Sequence, residues 1–401
     1  MKKKTLIMVL TGCMMLSPVS AYAADATETT TEAEVTEAAT AEDSADSEST
    51  GELGDDIYSF SMEFDGQTMK FPMTYQEFTD MGWELSSRED PDTKVSTNSY
   101  GMLTFNKGAS SVYADVINLG INEAGLEDCL IGGISVDGSY DIDLSTVSVK
   151  LPGGLELGKA TIDDIKAAYG EPSDTYEGDL YTKLTYEKDS YQEVELSVFK
   201  DDNTLKEVDM RNFEEPEGYD KGTVSDEVPD IVTSYEAPTA LGDDMMDTAV
   251  EYMGDLYSLP APVSAFTANG WEIQDAEDTP YVEGSGIAFI DMMKNNQSIH
   301  FSVYNETENA TALENCFVRE LSFATYDPES IAMKLSGDIT LGADKTELIK
   351  IADEKGYISE ENDDYLRIYP NKDAKIRNYV EFWFNKDEDS NKAASVTAHH
   401  E

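Results

Sequence analysis

From about residue 57 onward, hydrophobic and polar positions fall into short runs whose period keeps changing. Val194-Glu195-Leu196-Ser197-Val198 alternates strictly, as does Val380-Glu381-Phe382-Trp383-Phe384. This is the pattern of a strand with one wet face. Between such runs stand short stretches with a helical stripe. The clearest is Leu155–Ser173, which reads LELGKATIDDIKAAYGEPS. Leu155 and Leu157 alternate with polar neighbours. Thr161 and Asp164 then make a capping box, in which each side chain satisfies a backbone N–H that the first turn leaves unpaired. Ile165, Ala168 and Tyr169 share one apolar stripe, Gly170 ends it and Pro172 prevents its resumption. The pattern predicts strand, turn, short helix, stop.

Three related stretches recur. Thr74 to Trp83 carries the same box, with Glu77 at its third position and Gly82 as the stop. Asp344 begins another version that stops at Gly356. Pro262 to Trp271 keeps Phe266, Gly270 and Trp271 but lacks the box. Their placement is regular: Trp83 matches Trp271 at an offset of 188, and Cys129 and Asn118 match Cys316 and Asn305 at 187. Leu157-Gly158 matches Leu341-Gly342 at 184. Near-constant offsets over such a length indicate a duplication. Each half opens with a hairpin, at Asp65-Gly66 and at Met253-Gly254-Asp255. The expected fold is α+β: two duplicated halves, each of two strand-helix-strands units, with antiparallel sheets and short helices packed on one face. The halves are read as 57–215 and 244–401, joined by an acidic linker over 216–243.

Strand, Leu-Gly-x-x-Thr-x-x-Asp, helix, Gly-x-Pro and three further strands resembles the α/β repeat of the β-lactamase inhibitor protein and of the BamE/SmpA lipoproteins. Phe71-Pro72 before the first helix, Gly82-Trp83-Glu84 after it and the later Asn and Cys are similar to a tandem repeat of uncharacterised secreted Gram-positive proteins. These resemblances imply a surface module that works by contact and not by catalysis. The inhibitor's cysteine pairs are lacking, so no inhibitory residue is carried over.

The N-terminus alters the picture of compartment. Lys2, Lys3 and Lys4 precede an apolar run from Leu6 to Leu16, and Ala21-Tyr22-Ala23 offers a cleavage site, so 1–23 reads as a signal peptide. Leu10-Thr11-Gly12-Cys13 competes as a lipobox with Cys13 as a lipid anchor. Met14, Met15 and Leu16 keep the run apolar past that cysteine and favour cleavage after Ala23. Residues 24–56, acidic and rich in Thr, Ala and Glu with no aromatic residue, read as a disordered linker. No later run of about 18 apolar residues follows, so no membrane insertion is expected after signal removal. The expected location is extracellular or the bacterial cell surface.

Charge and chemistry exclude more than they nominate. The formal net charge is −54, with 82 acidic against 28 basic residues. That leaves no basic footprint for nucleic acid. It suits a cationic partner, a basic protein or Ca²⁺, or serves solubility alone. Cys129 and Cys316 read as small buried hydrophobes in strands of their own halves, with an inter-half disulfide as the alternative. With so many carboxylates, no pair is nominated as glycosidase acid and nucleophile. Asp387-Glu388-Asp389-Ser390-Asn391 resembles the start of a calcium loop, but Lys392 and Ala398 stand at essential places, and a hairpin turn is the better reading. His300 falls in an expected strand, and His399 and His400 at a terminus expected to fray. That supports neither a triad nor a zinc site. Trp83, Trp271 and Trp383 read as core, with stacking on a sugar as the alternative. No catalytic, cofactor-binding or metal residue is nominated, and no cofactor is expected. The reading is a secreted or cell-surface, non-catalytic binding protein whose partner is an extracellular protein or cell-wall component. The alternatives are a carbohydrate- or cell-wall-binding module and, more distantly, a carboxylate-dependent hydrolase.

Overall fold

The computed structural model describes residues 53–274, 276, 278–326, 330–385 and 391–401. The signal peptide, Cys13, most of the 24–56 linker and Asp387–Ser390 lie outside the described residues. Within them the chain is mostly β-sheet, with antiparallel strand pairing and five short α-helices.

The helices form where local chemistry specifies them. Helix α1 (Tyr75–Asp80) is capped by Thr74 and Glu77, and α2 (Ile162–Tyr169) by Thr161 and Asp164. Both boxes are reciprocal. Gly170 closes α2 at φ 82°, ψ −164°, a region that essentially only glycine occupies. A single helical turn, α3 (Asp230–Thr233), lies in the stretch expected as linker. Helix α4 (Val263–Ala268) starts at Pro262, which caps it with no side-chain bond. Helix α5 (Lys345–Lys355) starts at Asp344, which accepts from the N–H groups of Thr346 and Glu347, and ends at Gly356 in the left-handed region. The two expected hairpins are present. Asp65-Gly66 and Met253-Gly254 hold positive φ at both turn positions, 48° and 83°, then 53° and 86°, matching the strand twist.

The chain divides into two compact units that differ from the halves read off the sequence. The first comprises the described residues to Asp90, Gly101–Val116 and Leu130–Glu214. The second comprises Pro91–Tyr100, Ile117–Cys129 and Glu215–Glu401. In the first unit a nine-stranded sheet runs in the order 174–177, 181–189, 192–199, 204–212, 130–137, 110–118, 99–107, 84–85, with 73–74 beside 130–137. One face of it is apolar, carrying Leu184, Tyr186, Val194, Leu196, Val208 and Met210, all buried. Helix α2 belongs to this core: Ile165 is buried, and the Tyr169 ring meets Tyr186 edge-on at 5.6 Å. Phe78 of α1 stacks on Trp83 at 5.5 Å.

In the second unit a five-stranded sheet has the order 320–324, 393–400, 378–384, 365–369, 358–362. A second five-stranded sheet is built on the hairpin 287–294/297–304. One contiguous core joins them, from Trp271 and Phe301 to Val380, Phe382 and Val396. Residues 216–243, expected as an acidic linker, belong to this unit. Ser225 N–H donates to Ala310 O at 2.8 Å, and the Tyr235 hydroxyl accepts from Ser258 N–H at 3.0 Å. Two buried asparagines organise its loops in the same way. Asn118 Nδ2 donates to the carbonyls of Val95 and Asn122, and Asn305 Nδ2 to those of Val282, Glu283 and Asn309. The loops then bond each other: Asn122 Oδ1 accepts from Ala310 N–H at 2.7 Å, and Glu123 N–H donates to Glu308 O at 2.8 Å.

Candidate functional site

The strand Asn378–Phe384 places Val380, Phe382 and Phe384 in the core. Strand geometry therefore turns Tyr379, Glu381 and Trp383 to the other face. Neighbouring strands add to that face in register. Trp383 stands between Tyr365 and Ser395, Glu381 between Arg367 and Thr397, and Tyr379 beside His399, which faces Glu320.

These side chains hold one another. The Trp383 ring meets Tyr365 edge-on at 5.1 Å, and its Nε1 donates to Glu381 Oε1 at 2.8 Å. The other Glu381 oxygen accepts from Arg367 Nε and Nη2, at 2.9 and 2.5 Å. The Arg367 guanidinium lies 4.2 Å from the Tyr379 ring centroid, a cation–π contact. Tyr379 stacks flat on His399 at 4.9 Å, and its hydroxyl donates to Glu320 Oε2 at 3.0 Å. His399 Nδ1 is 3.3 Å from the same oxygen. The hydrogen bond from His399, joined by that from Tyr379, holds the Glu320 carboxyl below the usual range. At the sheet's edge the hydrogen bond from Lys375, with that from Tyr369, does the same for Glu360. Burial pushes the Tyr365 hydroxyl up to about 12. Glu320 and Glu360 are thus held as anions, and each aromatic ring has its orientation set from two sides. Such a face can stack on a ligand and accept hydrogen bonds from it.

The three tryptophans divide. Trp83 and Trp271 are 1% and 2% exposed and lie in the core, as read from the sequence. Trp383 is 44% exposed, which corrects the reading of it as core. The reason is strand parity: Phe382 and Phe384 take the inward positions. His399 and His400 are corrected as well. They end the strand Ala393–His400, held between 320–324 and 378–384, and are 9% and 2% exposed. The exposed His300 stacks on Phe289 at 5.7 Å and sits 3.0 Å from Asp291.

Cys129 and Cys316 are free and buried, each closing a 3-10 turn just before a strand. Burial pushes both thiols up to about 12. Asp163 lies in the first turn of α2, and Asp164 completes its capping box. Of the calcium-loop positions inside the described residues, Lys392 bonds Asp344, and Ala398 is buried opposite Leu321 and Val380. Among the described residues no group of three His, Cys, Asp or Glu is placed to hold a metal ion, and no helix is long and apolar enough to cross a membrane.

Sequence reasoning passed over Tyr365, Arg367, Tyr379 and Glu320. The alternation in Tyr365-Leu366-Arg367-Ile368-Tyr369 was the available signal. No protein-family model, curated protein or solved structure matches the chain.

Proposed function

We propose that the chain is an exported, non-catalytic binding protein of duplicated α+β build, and that it works through the open sheet face of its second unit. The observation that carries this reading is Trp383. A large ring left 44% exposed, fixed edge-on by Tyr365 and anchored through Nε1 to Glu381, has been given an orientation without being given a core to fill. Such a ring suits the apolar face of a saccharide, and the carboxylates beside it suit hydroxyl groups. A cell-wall or other extracellular glycan is therefore the ligand class the face fits best. The duplication is supported by the matching asparagine loops, at an offset of 187, and by the paired hairpins and helix starts. Export rests on the reading of residues 1–23.

Isothermal titration calorimetry tests it, a readout that survives the loss of Trp383; in the parent, where Trp83 and Trp271 are buried, a glycan-dependent change in tryptophan emission also reports on Trp383. A panel of soluble peptidoglycan fragments and polysaccharides is titrated into the full chain. Trp383→Ala is expected to weaken binding at least about tenfold, roughly 1.4 kcal/mol for one lost aromatic platform. No release of reducing ends is expected. Absence of binding across the panel, or binding that survives Trp383→Ala, removes the saccharide reading.

A further inference from the structure

A second open face, on the first unit, carries different chemistry. The strands 181–189, 192–199, 204–212 and 130–137 turn their apolar residues to the core. Register sets the residues of the other face in three rows: Lys183–Ser197–Glu207–Asp137, Thr185–Glu195–Asp209–Ser135 and Glu187–Glu193–Arg211–Gly133. Asp115 enters beside the last row, where Gly133 leaves room. A Cβ on Gly133 would lie 2.4 Å from Met210 O and 3.1 Å from Asp115 Oδ2.

The rows are short of positive charge. Arg211 donates from Nε to Asp115 Oδ2 at 2.9 Å and from Nη1 to Glu193 Oε1 at 3.1 Å, and its Nη2 is 3.9 Å from Asp209. Lys183 Nζ is 2.7 Å from Glu195. These two cations face seven carboxylates: Asp115, Asp137, Glu187, Glu193, Glu195, Glu207 and Asp209. Asp115 is only 4% exposed, and its Oδ1 has no hydrogen-bond partner. A buried carboxylate left incompletely paired is costly. Burial pushes the Asp209 carboxyl up to about 6 despite Arg211, with Asp115, Glu195 and Glu193 adding to the rise. Burial also raises Asp115 and Glu207.

The spacing says what form the missing charge takes. A single metal ion needs ligands that converge on one point, and the described residues hold no such group. Neighbouring strands are about 4.8 Å apart, and same-face residues along a strand about 6.8 Å. The carboxylates are therefore spread over the face, with Glu193 and Glu195 successive along one strand and Glu207 and Asp209 along the next. An extended chain with a basic residue at every second position repeats its charges at that same ~6.8 Å.

We propose that this face docks an extended lysine- or arginine-rich segment of a partner protein. It is independent of the aromatic face of the second unit. The test uses the full chain and a dye-labelled peptide of alternating lysine and threonine, followed by fluorescence anisotropy at pH 7.5 and low salt. Glu195→Gln with Asp209→Asn is expected to weaken binding roughly five- to tenfold. Asp353→Asn with Glu354→Gln, on the exposed side of α5, removes the same net charge and is expected to leave binding unchanged. Lowering the pH from 7.5 to 5 should weaken the parent more than the Asp209→Asn variant, because Asp209 takes up a proton over that range. Thermal melts establish that the first pair is folded. If it melts early, Glu187→Gln with Glu195→Gln carries the same comparison. Equal weakening by both pairs, or none by either, overturns the proposal and leaves only attraction to a chain of net charge −54. Spermine or Ca²⁺ binding more tightly than the peptide, and lost with Glu195 and Asp209, overturns it in favour of a small-cation site.

Discussion

Asn305 shows how much one side chain can hold. Asn305 is itself buried; its amide donates to three carbonyls and its Oδ1 accepts from Thr307 N–H. Asn305→Ala leaves those groups unpaired and is expected to cost about 3 kcal/mol in urea unfolding. Asn305→Asp should cost more at neutral pH, since it sets a carboxylate against carbonyl oxygens. His400 makes a prediction of a different kind. It is 2% exposed, and burial, with His399 beside it, pushes its pKa down to about 4 from the usual 6.5. The unfolded chain then binds the extra proton between those values. The contribution of His400 is complete above pH 6.5 and is lost as pH falls toward 4, by roughly 3 kcal/mol. Asp209 has the opposite sign: its folded pKa is raised, so its cost is present above about 6 and is relieved as pH falls below that. Urea midpoints at pH 7 and 4.5 should therefore shift less in His400→Gln than in the parent.

At the scale of elements the helix starts make the sharpest test. Thr161 caps α2 reciprocally with Asp164, and Thr161→Ala is expected to lower stability by about 1 kcal/mol. Pro262 occupies the equivalent cap of α4 with no acceptor, while its backbone pairs with Phe317. Pro262→Thr supplies the acceptor but gives up a buried ring, so a gain below about 1 kcal/mol is expected in thermal melts. Adding Ala265→Glu, which rebuilds the box, should raise it further. These features were legible in the sequence because a cap is written within four residues. Trp383 was legible in principle, through the alternation of its strand, but its likeness to the two core tryptophans pointed inward. His399 and His400 were not legible: their strand is held by Leu321 and Val380, residues remote in the chain. The carboxylate rows of the first unit were hidden for a related reason. They exist only once four strands are in register, and among 82 acidic residues no single one stands out.

At the scale of the whole molecule, the second unit is assembled from three separate segments of chain. Residues 57–215 and 244–401 read from the sequence as independent halves, yet Ile121, Asn122 and Glu123 bond Gly284, Ala310 and Glu308. A fragment 216–401 made alone lacks those partners. It is expected to melt well below the intact chain and to bind a separately made 57–215 fragment, which size-exclusion chromatography of the mixture would detect. Failure of the fragments to associate would show that these loop bonds contribute little. The same feature bears on how the chain is made. Asn122 and Ala310 stand 188 residues apart. At about 5–20 residues per second, the ribosome delivers the second partner roughly ten to forty seconds after the first. Through that interval the loops 91–100 and 117–129 wait with open backbone groups, so nascent chains should be most vulnerable to proteases there.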